Sequence, residues 1–152
     1  MLKTMLEELL ETMKESKQAE VQMADYIKSP ILAGIVIESL APVCGTPACI
    51  IGEQALKHIR DGVAEDTSDT VAQYAGMLDC RGINLCAKVL GSPNLWWSVV
   101  GAEAYFRRGT ALASGLFTEE EVEELKHLQA DNPKVEDVIL FLELCIEKVS
   151  NV

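Results

Sequence analysis

The chain has 152 residues, of which 49% are hydrophobic and 24% charged, the make-up of one globular domain large enough to bury its own core. Its 24 acids against 13 bases give a formal net charge of −11. That balance speaks against the phosphate-neutralising surface that nucleic acids and anionic membranes require.

Leu2, Leu6, Leu9 and Met13, joined by Met5 and Leu10, recur at helical spacing and predict an amphipathic helix over about 2–16. Glu7, Glu8, Glu11 and Glu15 form its other face. The pattern resumes through Val21, Met23, Ala24 and Ile27, so residues 1–28 read as an N-terminal helical segment whose Leu/Met stripe is expected at an oligomer contact. Only Lys3 is basic near the start and three glutamates follow, which is unlike a secretory leader.

The stretch from Ile31 to Gly52 is strongly apolar but carries Glu38 and is cut by Pro42, Gly45 and Pro47. A membrane span needs about 20 apolar residues in one piece. Two short buried helices are expected instead, a central apolar hairpin. Ser29-Pro30 and Thr46-Pro47 each pair a cap with a first-turn proline and start its two helices, the second stopped by Gly62.

Thr67-Ser68-Asp69 caps a helix to about Cys80, with Gly82 as its stop and a short helix over 84–90 before Gly91. Ser92-Pro93 starts a long helix through Leu95, Val99, Ala102 and Phe106 to Gly115. Thr118 with Glu121 is a capping box for a helix to about 130. Asn132-Pro133 opens the last helix, with Val135, Val138, Ile139, Leu142, Cys145 and Val149 on its buried face. No window alternates with a strand's period of two. The predicted fold is therefore all-α, one domain over 1–152, a bundle of seven or eight helices around the apolar hairpin. With neither leader nor span, a cytoplasmic protein with reduced thiols is expected.

Four of the five cysteines fall in two similar clusters, Cys44 with Cys49 and Cys80 with Cys86, each read as flanking a glycine turn between helices. The clusters are offset by 36 or 37 residues (80 − 44 and 86 − 49), close to helical-hairpin repeat lengths. Cys49 and Cys86 fall in expected first turns, where the helix dipole favours a thiolate, and Arg81 beside Cys80 adds positive charge. Were the two turns to meet, four sulfurs would make a zinc or iron–sulfur site or a thiol redox pair. The spacing is wider than usual zinc and cluster patterns. Free cysteine also packs as a small hydrophobe, as Cys145 does on the stripe of the last helix.

Among other groups, Glu38 lies on a helix without a polar face, as a buried acid or as a helix-end group reaching solvent. Glu53 is one turn from Cys49 and equally well placed to pair with Lys57; His58 flanks an apolar stripe. Glu124 and His127 have di-iron spacing but lack the second copy such centres need. Trp96 and Trp97, about 100° apart on a helix, cannot both be buried unless two sides are covered, so core, interface and pocket are all open for them.

No catalytic or phosphate-loop signature occurs. A metal-free helical enzyme would have to draw on Glu38, Glu53, His58 and Tyr74, which no spacing joins. The sequence therefore points first to an oligomeric binding or assembly module, as a homodimer with neither nucleic-acid nor membrane partners. A cysteine-centred metal or redox protein is the alternative.

Overall fold

A computed structural model of the chain describes residues 1–16, 50–63, 71–100, 108–128 and 133–152. These residues form an all-α bundle. In chain order the helices are α1 (Leu2–Glu15), α2 (Ile50–Arg60), α3 (Val71–Leu90), α4 (Asn94–Val100), α5 (Arg108–Ala113), α6 (Glu119–Leu125) and α7 (Val135–Ser150), with a 3-10 turn over Lys126–Leu128 after α6. The first half of the expected apolar hairpin, with Glu38, Cys44 and Cys49, lies outside the described residues.

α1 packs on α7, the last helix, and also touches α2 and α3. Its stripe of Leu2, Leu6, Leu9 and Met13 is fully buried in the core of this same chain. At about 1.5–3 kcal/mol per side chain, those four contribute roughly 6–12 kcal/mol to closing the bundle. This corrects the expectation that the stripe lines an oligomer contact: an amphipathic face is satisfied equally by a neighbouring helix, and α7 supplies one. The core continues through Tyr74, Leu78 and Cys86 of α3, Leu95, Trp96 and Val99 of α4, and Val138, Phe141, Leu142 and Cys145 of α7.

Several helix ends follow their local chemistry. Thr118 and Glu121 form the reciprocal capping box: Glu121 N–H donates to Thr118 Oγ1 at 3.2 Å, and Thr118 N–H to Glu121 Oε1 at 3.1 Å. Gly62 ends α2 in the left-handed region (φ 71°), where Gly62 N–H reaches the Ile59 carbonyl and Val63 N–H the His58 carbonyl, a Schellman closure. Gly91 and Gly115 follow α3 and α5 with φ of 82° and 77°.

Gly82 behaves differently. It lies inside α3, which runs unbroken from Val71 to Leu90, whereas the sequence pattern places a turn there. The indole of Trp96 lies against it: a Cβ on Gly82 would come 2.1 Å from the ring. Glycine is required at this point by another helix's side chain, and the intrahelical hydrogen bonds continue past it. Trp96 is fixed in that seat by its Nε1–H, which donates to Asp79 Oδ1 at 2.8 Å.

Candidate functional site

A cleft of about 650 Å³ lies between α1 and α3. α1 contributes Thr4, Met5 and Glu8 together with Met1 before it; α3 contributes Met77, Leu78, Cys80, Arg81, Asn84, Leu85 and Lys88; His58 of α2 closes one margin. The α3 positions 77, 81, 84, 85 and 88 share one face because they recur every three or four residues. Leu78 is buried and Met5, Met77 and Leu85 are half-buried, so the cleft has an apolar floor. Arg81 and Lys88 stand on its flank.

A chain of polar side chains crosses from α1 to α3 beside the cleft. Thr12 Oγ1 faces the Glu8 main-chain carbonyl at 2.9 Å and also Gln54 Oε1. Gln54 Nε2 meets His58 Nε2 at 2.6 Å, and His58 Nδ1 meets Tyr74 Oη at 2.8 Å. Thr12 carries one hydroxyl proton for two acceptors. A half-turn of the Gln54 amide, which exchanges its oxygen and nitrogen, resolves the conflict. Tyr74 then donates to His58 Nδ1, His58 Nε2–H to the amide oxygen, the amide nitrogen to Thr12, and Thr12 to the Glu8 carbonyl. This assignment makes His58 the neutral Nε2–H tautomer. Burial acts the same way, holding the imidazole below its usual range against the pull of Glu8, whose carboxylate is 3.9 Å away, and of Asp61.

Glu53, the next residue on α2, is partly buried and accepts a hydrogen bond from Ser16 at 3.3 Å. Burial raises its carboxyl above the ordinary value, with the Ser16 bond and Arg60 opposing. The ion pair expected between Glu53 and Lys57 does not form; Lys57 reaches Glu15 of α1 at 2.8 Å instead, because α1 lies alongside α2. Thr12 and Gln54 were not legible as site residues. The signal for Thr12 was its position among Leu9 and Met13 on the buried face of α1, where a hydroxyl needs a partner.

The cysteine pair on α3 loses the geometry expected of it. With no turn at Gly82, Cys80 and Cys86 are six positions apart on one straight helix, about 9 Å of rise and 240° of rotation. Cys80 is exposed on the cleft side and Cys86 is buried in the core, so the two cannot hold the same ion. Nor is Cys86 in the first turn of its helix. Its thiol donates to the Ser92 carbonyl at 3.4 Å, and the main-chain N–H groups of Trp96 and Leu95 in α4 face the sulfur. Burial outweighs those amides and pushes the thiol up. Cys145, wholly buried nearby, is pushed up further for the same reason. Among the described residues, no group of three His, Cys, Asp or Glu side chains is placed to hold a metal ion, and no helix is long and apolar enough to cross a membrane.

The two tryptophans divide. Trp96 is wholly buried, whereas Trp97 is 42% exposed on the outer side of α4. No family model matches the chain, and neither a curated protein nor a solved structure is similar to it at a significant level.

Proposed function

We propose that the protein is a helical binding and assembly module whose working surface is the cleft between α1 and α3. The observation that supports this reading is the cleft itself: a recess of about 650 Å³ with Met5, Met77, Leu78 and Leu85 as its floor. That volume falls within the range of small-molecule sites, which are concave, mostly apolar and furnished with a few polar groups. Methionine is flexible and polarisable, and adapts to irregular partners. The polar chain through Gln54 and His58 links its members to one another by hydrogen bonds. It serves this reading as a brace that holds α1, α2 and α3 around the recess.

Assembly into a homodimer is proposed through the apolar side chains left outside, Trp97 foremost, since tryptophan is enriched where interfaces concentrate their energy. The cysteine-centred reading keeps only Cys80 as an accessible thiol among the described residues.

Binding of Nile red, a neutral apolar dye, tests the cleft. One dye per chain is expected, lost in Thr4→Trp, which fills the recess from an exposed position, with helix content unchanged. Dye binding untouched by Thr4→Trp would overturn the reading. Mass spectrometry under non-denaturing conditions on anaerobically purified protein adds the second arm: a dimer free of metal supports the module, and stoichiometric zinc or iron sinks it.

A further inference from the structure

We infer that occupancy of the cleft between α1 and α3 and protonation of His58 exclude one another, so that an apolar ligand is held near neutral pH and released on acidification. The inference rests on the binding-cleft reading above and adds the regulation of that same site.

Position is the first support. His58 lines the apolar cleft and also a second recess of about 480 Å³ between α1 and α2, where Glu7, Glu11 and Asp61 stand. One imidazole therefore borders both an apolar space and a charged one. A ligand in the apolar cleft replaces water beside the ring, and a proton reaches the ring from the charged recess.

Hydrogen bonding is the second support. Neutral His58 accepts the Tyr74 hydroxyl at Nδ1 over 2.8 Å and gives its Nε2–H to the Gln54 amide. A second proton has to sit on Nδ1, so the bond to Tyr74, whose side chain is wholly buried, has to reverse. The neutral ring ties α2 to α3 along the cleft as it stands, and the charged ring does so only after that rearrangement.

The charged groups that face the ring are Glu8 of α1, Lys57 of α2, Asp61 just beyond its end, and Arg81 of α3. Glu8, 3.9 Å from Nε2, and Asp61 favour the imidazolium; Lys57 and Arg81 oppose it; burial outweighs each of them. An apolar molecule in the cleft deepens that burial and so binds better beside the neutral ring. By linkage, the proton weakens the ligand by the same factor. Affinity is then full above the ordinary 6.5 and falls as the pH drops through the folded value of His58, which lies below it.

The test is fluorescence titration with Nile red at pH 8 and pH 5.5, with helix content followed by circular dichroism. The dye is uncharged at both pH values. It is expected to bind about fivefold more weakly at pH 5.5, the low end of ordinary coupling between two sites. In unbuffered solution at pH 6, saturating dye should liberate protons, measured as the base needed to hold the pH. His58→Gln should remove both effects, and His127→Gln, at the chain's other histidine, neither.

Equal affinity at the two pH values, or a loss that persists in His58→Gln or only tracks unfolding, overturns the inference and leaves the binding cleft standing. Dye binding without proton release does the same, independently of that variant. Absence of dye binding at pH 8 overturns both.

Discussion

The ring of Trp96 fills the space that a side chain at Gly82 would need. With a Cβ on residue 82 only 2.1 Å from the indole, Gly82→Ala should destabilise the fold by about 1–3 kcal/mol, the usual cost of overpacking. Helix propensity alone would make the same change stabilising by up to ~1 kcal/mol, so the sign of the effect decides between the two. A Cβ at Gly109 on α5 meets nothing within 4 Å, and Gly109→Ala should be neutral or mildly stabilising. Urea denaturation of both variants gives the answer, and near-UV circular dichroism should show Trp96 displaced in the first alone.

His58 gives the protein a pH dependence of definite sign. Burial keeps its folded-state pKa below the ordinary 6.5, so below that pH the unfolded chain takes up a proton that the native state refuses. The stabilisation is complete above 6.5 and is lost as the pH falls from there towards the folded value. Unfolding free energy measured from pH 8 down to pH 5 should decline through this window. His58→Gln, which can still donate and accept, should flatten the decline; a slope of the opposite sign would contradict the buried neutral tautomer.

Glu53 should show the reverse linkage. Its carboxyl sits above the ordinary 4.5 because burial disfavours the charge, so the native state is penalised as the pH rises through that range. Glu53→Gln keeps an acceptor for Ser16 and removes the charge. It should be more stable than the parent at pH 7, with the advantage fading below pH 4.5. A thermal-melt series at the two pH values is sufficient, and a variant less stable at pH 7 would show that Arg60 outweighs burial.

The adjacent tryptophans should separate folding from assembly. Trp97→Ser alters a side chain that is 42% exposed and should change stability by no more than about 0.5 kcal/mol, while lowering the sedimentation mass to that of a monomer if the proposed assembly runs through this residue. Trp96→Phe removes the Nε1–H that Asp79 accepts and should cost about 1–3 kcal/mol without changing the subunit number. A Trp97→Ser protein with the parent's mass would remove this residue from the interface.

The helical class and many helix ends were readable because their causes are local. A threonine followed three residues later by a glutamate caps α6 through its own main chain, and Gly62, Gly91 and Gly115 take the positive φ that few other residues tolerate. Gly82 carries the same letter for a different reason. Its neighbour in space, Trp96, is 14 positions away in sequence, and nothing local distinguishes a helix stop from a point of close approach. That single ambiguity produced the expected turn, and with the turn went the first-turn thiolate and the shared site for Cys80 and Cys86. The cleft was hidden for a similar reason: Met5 read as part of the amphipathic stripe of the first helix and nothing local marked Met77, until α1 and α3 are placed side by side. The Thr12–Gln54 contact joins residues 42 positions apart, beyond the reach of any helical period.

Because the first helix rests against the last, synthesis imposes a waiting time on the chain. About 135 residues separate the end of α1 from the end of α7, which at a ribosome's pace of roughly 5–20 residues per second is on the order of ten seconds. Throughout that interval Leu2, Leu6, Leu9 and Met13 lack α7, the helix that α1 packs on most extensively, and only α2 and α3 among the described helices can lie against α1. The nascent polypeptide therefore carries a sticky α1 until α7 leaves the exit tunnel, and its yield in a cell should depend on a holdase that masks that helix.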